Sequence, residues 1–263
     1  MKSFKKYIAA LSIIAVAAMG CSKDGSEVAS FDTKNNQGTG QGGSLARFAL
    51  VGNHMYAVNG RSLKVLDITN RENPTFVKSA PINSDVETIF ARDNSTLFIG
   101  ARSGMFVYDV SNGAEVQQIA SYEHITSCDP VVANSDYAYV TLRTRQETDN
   151  NNCGVSNVNQ MDVVDIRNLS SMHVVKEMPM DFPIGLGLHG DTLMVCDDGL
   201  KVYDITDGAN PVFLMKEEVK AVDIIPYGDL MIVSTISGIS QYYAATTIPI
   251  RKTTGGFCFY GSY

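Results

Sequence analysis

Short apolar runs separated by turn residues fill most of the chain after residue 45. In each unit a first apolar run ends in a pair of Gly, Asn or Asp residues, as in residues 48–53 and 186–191, and a second run follows at once. These residue types tolerate the positive φ angles that tight β-hairpins require. Because no segment after residue 45 has a long apolar period of 3.6 residues, the pattern predicts hairpins and almost no helix.

A phrase of valine, one further residue and aspartate returns after the second run. Its four aspartates, separated by 42, 56 and 39 residues, are Asp67, Asp109, Asp165 and Asp204. A degenerate fifth copy, Gln241-Tyr242-Tyr243, follows 39 residues later. A period near 40 residues indicates a repeat architecture.

A fourth apolar run completes each unit after a break such as Asn73-Pro74 or Asn210-Pro211. Four short strands in a repeat of this length are typical of a β-propeller blade. The sequence therefore predicts an all-β fold: a β-propeller of five blades, each with four antiparallel strands, over residues 45–263. The last repeat fits least well, because Tyr243 stands where the other copies have aspartate.

The clearest copy of the repeat is residues 198–207, Asp-Gly-Leu-Lys-Val-Tyr-Asp-Ile-Thr-Asp, followed by Asn210-Pro211. It resembles the LVIVD-repeat family, bacterial propeller-forming repeats common in secreted and lipid-anchored proteins. The resemblance covers residues 45 to about 245. It implies the fold and implies little about activity, because that family is functionally ill-defined.

The N-terminus is predicted to be a targeting segment. Three lysines, at positions 2, 5 and 6, precede an apolar run over residues 7–18 that is too short to span a bilayer as a stable helix. The run ends in Ala18-Met19-Gly20-Cys21, which resembles the lipobox of bacterial lipoproteins and implies cleavage before Cys21 and its acylation. An ordinary signal peptide is the alternative. The predicted organisation is a lipoprotein signal peptide (1–20), an acylated cysteine with a flexible linker (21–44) and the propeller (45–263).

The residues directly after Cys21 bear on location. Ser22-Lys23-Asp24-Gly25 looks like the surface-export signal of Bacteroidetes lipoproteins, although it lacks a full acidic run. The polar Gly/Asn/Gln/Ser-rich residues up to 44 read as a flexible tether, since they bury too little apolar surface to order themselves. We expect an outer-membrane lipoprotein on the periplasmic or cell-surface side.

Charge excludes one class of partner. Without the three lysines of the targeting segment, 18 basic residues face 28 acidic ones, and no basic patch is evident. Nucleic-acid binding needs clustered Lys and Arg, so no nucleic-acid partner is expected. The expected partners are the membrane, through the lipid, and an unknown protein or glycan.

The repeated aspartates Asp67, Asp109, Asp165 and Asp204 suggest two roles. Calcium needs about 6 to 8 oxygens around one point, and side chains in separate blades lie far apart. An aspartate at a strand end more commonly caps a turn by accepting backbone N–H groups. We favour the structural role, and predict no metal and no cofactor.

The cysteines offer a local hypothesis. Cys128 opens the third repeat, and Cys153 lies in the insertion 144–160 that accounts for the 56-residue spacing. Export implies an oxidising compartment, where a Cys128–Cys153 disulfide would staple the insertion to its own blade; two free thiols are the alternative. Cys196 is expected to pack as a small hydrophobic residue. No spacing of Cys or His indicates zinc.

Acidic residues gather near the starts of the predicted inner strands: Asp85, Glu87, Asp129, Asp181 and Asp223. The insertion and its approach add Arg143, Arg145 and Glu147. Because long loops on rigid scaffolds commonly carry recognition, these residues are candidate binding loops. The plainer interpretation is the loops of any acidic protein.

No catalytic residue is predicted. The histidines His54, His124, His173 and His189 have no recognisable nucleophile motif beside them, and Gly-x-Ser-x-Gly does not occur. We expect a non-catalytic binding module of the cell envelope. The alternatives are a hydrolase or lyase with a site at the channel mouth, and a structural subunit of an envelope assembly. The absence of Trp lowers, without removing, the glycan option.

Overall fold

A computed structural model of the chain describes residues 42–123, 130–143, 158–243, 251–252 and 257–258. Most of the described residues lie in strands. In chain order the strands are β1 Phe48–Val51, β2 His54–Asn59, β3 Ser62–Asp67, β4 Thr75–Pro81, β5 Val86–Ala91, β6 Thr96–Ala101, β7 Gly104–Asp109, β8 Gln117–Glu123, β9 Val131–Ala133, β10 Tyr137–Arg143, β11 Asn159–Asp165, β12 His173–Pro179, β13 Pro183–His189, β14 Thr192–Asp197, β15 Leu200–Asp204, β16 Val212–Glu217, β17 Ala221–Tyr227, β18 Leu230–Thr235, β19 Gly238–Tyr243, β20 Arg251–Lys252 and β21 Phe257–Cys258.

Helix is scarce in the described part of the chain, as the sequence predicts. A single 3₁₀ turn, Leu169–Ser171, lies between β11 and β12 there. Among these residues no helix has the length and apolarity needed to cross a bilayer.

Glycine allows the first two strands of a blade to join through a tight hairpin. Gly52, Gly190 and Gly228 lie in these turns with φ angles of +57°, +53° and +55°. A residue with a Cβ rarely adopts this left-handed backbone conformation, whereas glycine does so freely. The Gly/Asn/Asp pattern thus fixes where three of the hairpins turn.

The strands form five antiparallel sheets in which neighbours in the chain are neighbours in the sheet: β1-β2-β3-β4, β5-β6-β7-β8, β9-β10-β11-β12, β13-β14-β15-β16 and β17-β18-β19-β20, with β21 also paired to β19. The first strands of successive sheets contact one another from β1 through β17. They therefore line the centre, and each sheet is one blade. The predicted fold, a five-bladed propeller of four-stranded antiparallel blades, is confirmed.

An irregularity repeats at the outer edge of four blades. The pairing of the third and fourth strands shifts by a bulge at Val65/Leu66, Val107/Tyr108, Val163/Val164 and Val202/Tyr203. In each case the bulge lies just before the aspartate of the repeated phrase. A bulge at one fixed position increases the local twist of each outer edge strand.

Apolar side chains fill the spaces between blades. Three clusters of buried residues cover the interfaces of blade 1 with blade 2, of blades 2, 3 and 4, and of blade 4 with blade 5. All six residues of β6 and of β14 are buried, because these strands have a neighbouring blade on both faces. In β18 of blade 5, buried and partly exposed residues alternate. One face of blade 5 is therefore less covered than the faces of the inner blades.

Two tyrosines tie neighbouring blades together. Tyr56, in β2, donates a hydrogen bond of 2.6 Å to the carbonyl of Gly113, in the turn after β7 of the next blade. Tyr139, at the equivalent place in β10, donates one of 3.0 Å to the carbonyl of Gly208 after β15. Both rings are fully buried, so each phenol bridges an apolar interface to a polar turn.

Candidate functional site

The repeated aspartates act on the turns that follow them. Each accepts a hydrogen bond from the backbone N–H two residues later, at distances of 2.7, 2.8, 3.0 and 2.8 Å for Asp67, Asp109, Asp165 and Asp204 in turn. This is the geometry of an Asx turn, which a short carboxylate side chain forms locally. Among the described residues no group of three or more His, Cys, Asp or Glu side chains is placed to hold a metal ion.

Asp204 shows the electrostatic consequence. Hydrogen bonds from the hydroxyl and the N–H of Thr206 hold the pKa of its carboxyl below the ordinary value. A group with a lowered pKa in the folded state stabilises the fold above its unfolded pKa. That contribution is lost as the pH falls through the folded pKa.

We therefore expect Asp204→Ala to lower the melting temperature by a few degrees at pH 7, and by progressively less as the pH falls through the folded-state pKa of Asp204, where the wild type also loses its carboxylate charge. Thermal unfolding followed by circular dichroism over a series of pH values from 7 downward measures this. Asp204→Asn, whose amide oxygen can still accept the Thr206 N–H, is the matched control and should retain most of the stability. A loss of bound metal in Asp204→Ala would contradict the structural role.

The first candidate loop residue, Asp85, lies just before β5 and is half-exposed. Its carboxylate receives the guanidinium of Arg61 at 3.2 Å and that of Arg102 at 3.8 Å. Arg61 follows β2 and Arg102 follows β6. The three side chains thus bridge blades 1 and 2 on the face where the first strands begin.

A second charged group lies on the same face of blade 4, around Asp197. Its carboxylate is fully buried and accepts a bond of 2.7 Å from the ammonium of Lys201. It also accepts the backbone N–H groups of Asp181, at 3.0 Å, and Phe182. Lys201 reaches the exposed carboxylate of Asp181 as well, at 2.9 Å. One buried carboxylate therefore fixes the loop before β13.

The same loop holds both ends of the insertion. Arg143, the last residue of β10, places its guanidinium 4.8 Å from the centre of the Phe182 ring. Asn159 is the first residue of β11. Its side-chain amide donates to the carbonyl of Asp181 at 3.0 Å, and its backbone carbonyl accepts the N–H of Met180 at 2.9 Å. The two stems of the insertion are thus fastened to the neighbouring blade.

Several predicted residues lie outside the described residues. They are Arg145 and Glu147 of the insertion, Asp129, the two cysteines of the predicted disulfide, Cys128 and Cys153, the lipidation residue Cys21, and His124. Cys196 is described, and is fully buried as a free thiol at the end of β14. Burial raises the pKa of this thiol far above its ordinary value, so it is unreactive.

Two candidate loop residues are not in loops, which corrects the prediction. Glu87 is the second residue of β5, and Asp223 is the third residue of β17. The pairing of each strand with its neighbour shifts at this point, between Val86 and Thr88 and between Ala221 and Asp223. Such bulges re-aim side chains, and a repeat pattern read from sequence does not reveal an extra residue inside a strand.

Asp223 points to the centre of the propeller. Its carboxylate accepts the hydroxyl of Ser44 at 3.1 Å and the N–H of Leu45 at 3.3 Å. Burial raises the pKa of its carboxyl to about 6. No local sequence pattern indicates this contact, because the partners of Asp223 are 179 and 178 residues away.

The opposite face carries two open clefts between hairpin turns. The first, about 210 Å³, is lined by His54, Asn94 and Ser111 among others, between blades 1 and 2. The second, about 310 Å³, is lined by Arg92 and Asn134 among others, between blades 2 and 3. They lie on the side of the repeated Asx turns, away from the insertion. His54, the first residue of β2, is partly buried there.

These features define a β-propeller with structural Asx turns on one face and an ion-paired, insertion-bearing rim on the other. The model of the LVIVD repeat matches residues 42–80 and 155–178. In these two stretches the chain matches the LVIVD repeat, which confirms the resemblance seen in its sequence. No curated protein matches the chain.

Solved structures similar to this chain come from several bacteria. A functionally unknown protein from Desulfotomaculum acetoxidans matches with a TM-score of 0.56 and 12% identity, over 73% of this chain and 62% of that one. A protein from Lactobacillus plantarum matches with a TM-score of 0.57 and 12% identity, over 78% and 70%. The periplasmic gluconolactonase of Pseudomonas aeruginosa matches with a TM-score of 0.57 and 14% identity, over 78% and 67%. At these identities the likeness shows the fold alone.

Proposed function

We propose that the protein is a non-catalytic binding module of the bacterial cell envelope, held to the membrane by a lipid on Cys21. Its recognition element is the insertion between β10 and β11, together with the charged rim from which the insertion leaves. The observation that carries the proposal is the clamping of both insertion stems, at Arg143 and Asn159, onto the loop before β13.

A clamped base favours recognition for a thermodynamic reason. Ordering a loop on binding costs conformational entropy, and fixing its ends in advance lowers that cost. The loop that receives the stems is itself fixed by the buried carboxylate of Asp197. Phe182, about half-exposed beside Arg143, adds an aromatic surface of the kind enriched in protein interfaces.

The test is affinity capture from membrane extracts, with the propeller domain as bait and mass spectrometry as readout. The sharp comparison is with a variant whose residues 144–157 are replaced by a short Gly/Ser loop, which leaves both stems in place. A matched control on the opposite face is Asn94→Ala, in the cleft between blades 1 and 2. We expect a partner that wild type and Asn94→Ala retain and the loop variant loses. Equal capture by all three would overturn the assignment to the insertion.

The lipid anchor has its own test. We expect Cys21→Ala to move the protein from the membrane fraction to the soluble fraction of cell extracts, without a change in the melting temperature of the domain. Cys196→Ala, a buried cysteine of the propeller, is the control and should remain in the membrane fraction. Cys21→Ala that still sediments with membranes would contradict the lipoprotein proposal.

One observation favours a catalytic alternative. Asp223 has a pKa of about 6 and faces the centre of a fold shared with a periplasmic gluconolactonase. A carboxyl group that titrates near the working pH is suited to general acid–base catalysis. If the protein is a lactonase, wild type will hydrolyse gluconolactone faster than buffer at pH 6–7, and Asp223→Asn will not. A rate equal to that of buffer for both proteins overturns the lactonase alternative.

A further inference from the structure

The segment of residues 42–46, just before β1, lies against the inner strands of other blades. The backbone N–H of Leu186, in β13, donates to the hydroxyl of Ser44 at 2.6 Å. The backbone N–H of Ile89, in β5, donates to the carbonyl of Ala46 at 2.9 Å. Ser44 is almost fully buried. The segment therefore occupies the centre of the propeller between blades 2 and 4.

The third anchor is Asp223 of blade 5. Its carboxylate is enclosed by two glycines, and a Cβ at either would collide with it: at Gly185 the Cβ would lie 2.6 Å from the nearer oxygen, and at Gly43 closer still. The hydroxyl of Ser44 and the N–H of Leu45 donate to the same carboxylate, and Asp223 is partly buried. The carboxylate and the segment are therefore packed too closely to admit a side chain at either glycine.

The groups around Asp223 are neutral. The segment 42–46 carries no ionisable side chain, and β13 contributes Gly185 and Leu186. The thiol of Cys196 in the neighbouring strand β14 interacts with Asp223, and burial keeps this thiol protonated. The hydrogen bonds that act on the Asp223 carboxylate come from Ser44, Leu45 and the backbone of Ile224, none of which is charged.

The sign of the pH effect follows from burial. Because desolvation disfavours the charged form, the pKa of the Asp223 carboxyl rises from 3.8 to about 6 with the segment in place. When the segment leaves, the carboxylate gains water and its pKa falls. The closed state, with the segment in place, therefore binds a proton more tightly than the open state, from which the segment has left. By linkage, closing becomes more favourable as the pH falls through 6.

We propose that residues 42–46 form a plug in the centre of the propeller, and that protonation of Asp223 controls it: the plug is held tightly in mild acid and released more readily at neutral pH. Because the predicted tether joins this segment directly, opening lengthens the tether. It also uncovers the inner strands of blades 4 and 5. The device couples the pH around the protein to access to its centre.

Hydrogen exchange of the full chain, read by mass spectrometry on peptides spanning residues 42–47, tests the plug at pH 5.0 and pH 7.5. Rates are divided by the intrinsic rates at each pH, and β6, buried on both faces, serves as an internal reference. We expect the protection of the segment to be about tenfold higher at pH 5.0. That factor corresponds to a group with a pKa of about 6 in the closed state and 3.8 in the open state.

Two variants push the plug in opposite directions. Asp223→Asn removes the charge and keeps the hydrogen-bond acceptor, so its segment should be protected at both pH values. Gly43→Ala collides with the carboxylate, so its segment should exchange quickly at both. Asp229→Asn, in the exposed turn between β17 and β18 of the same blade, is the control and should behave as wild type.

The outcomes separate clearly. A tenfold pH effect in wild type and Asp229→Asn that disappears in Asp223→Asn establishes the device. Equal protection of wild type at both pH values, higher protection at pH 7.5, or a pH effect that persists in Asp223→Asn overturns it. The reference strand shows whether a variant has lost its fold, and Ser44→Ala, which removes the hydroxyl between Asp223 and Leu186, then replaces Gly43→Ala.

Discussion

Asp197→Ala is expected to lower the free energy of unfolding of the propeller by about 3 kcal/mol, because it leaves several donors without an acceptor. The carboxylate of Asp197 is fully buried and accepts the ammonium of Lys201 and two backbone N–H groups. Burial alone lowers the pKa of Lys201, but the hydrogen bonds to Asp197 and Asp181 outweigh burial and raise it. The variant removes the buried one of these two carboxylates and leaves Lys201 with the exposed carboxylate of Asp181.

Urea unfolding followed by circular dichroism measures this loss. Asp181→Ala is the matched control: it removes the other carboxylate of Lys201, but that carboxylate is 70% exposed. Exposed ion pairs contribute about 0–1 kcal/mol, so the control should remain close to wild type. The double variant Asp197→Leu with Lys201→Met should recover part of the loss, because it removes the unpaired charge but still leaves the backbone N–H groups unpaired. Equal effects of Asp197→Ala and Asp181→Ala would contradict this account.

The fold could be predicted because the information that specifies it is local and repeated. Residues such as Gly52 and Gly190 mark the hairpin turns of a blade, and the phrase that ends at Asp67 or Asp204 marks its third strand. Even the degenerate copy at Tyr243 takes the expected place, opposite Leu230 in β18. Because the same pattern recurs in several repeats, a degenerate copy does not obscure the propeller fold.

The site could be predicted only in part, because its contacts join residues that are distant in sequence. Asp85 and Arg143 were recognised as charged residues at blade edges, but their partners Arg102 and Phe182 were not. Asp197 was missed altogether. It lies at the end of an apolar strand, and the only local sign of a special role is the Asp-Gly turn that follows it. Likewise, nothing near residue 44 indicates a contact with blade 5.

Blades 4 and 5 differ in how completely their second strands, β14 and β18, are buried. In blade 4, Met194 of β14 is fully buried against blade 5. Ile232 takes the equivalent place in blade 5, two residues after the start of β18, but is only partly buried. Ile232 lies on the face of blade 5 that corresponds to the face of blade 4 packed against blade 5. The same kind of truncation should therefore have very different effects at these two positions.

Met194→Ala removes a side chain from a packed interface and is expected to lower the free energy of unfolding by about 3 kcal/mol, within the range for large-to-small changes in cores. Ile232→Ala should lower it by about 1 kcal/mol or less, because little of its side-chain contact is lost. Urea unfolding with a common m-value for both variants measures the difference. An Ile232→Ala variant as unstable as Met194→Ala would mean that blade 5 packs on blade 1 in solution as closely as blades 4 and 5 pack on each other. Because the plug at residues 42–46 contacts blade 5 through Asp223, such tight closure would also make the plug harder to release.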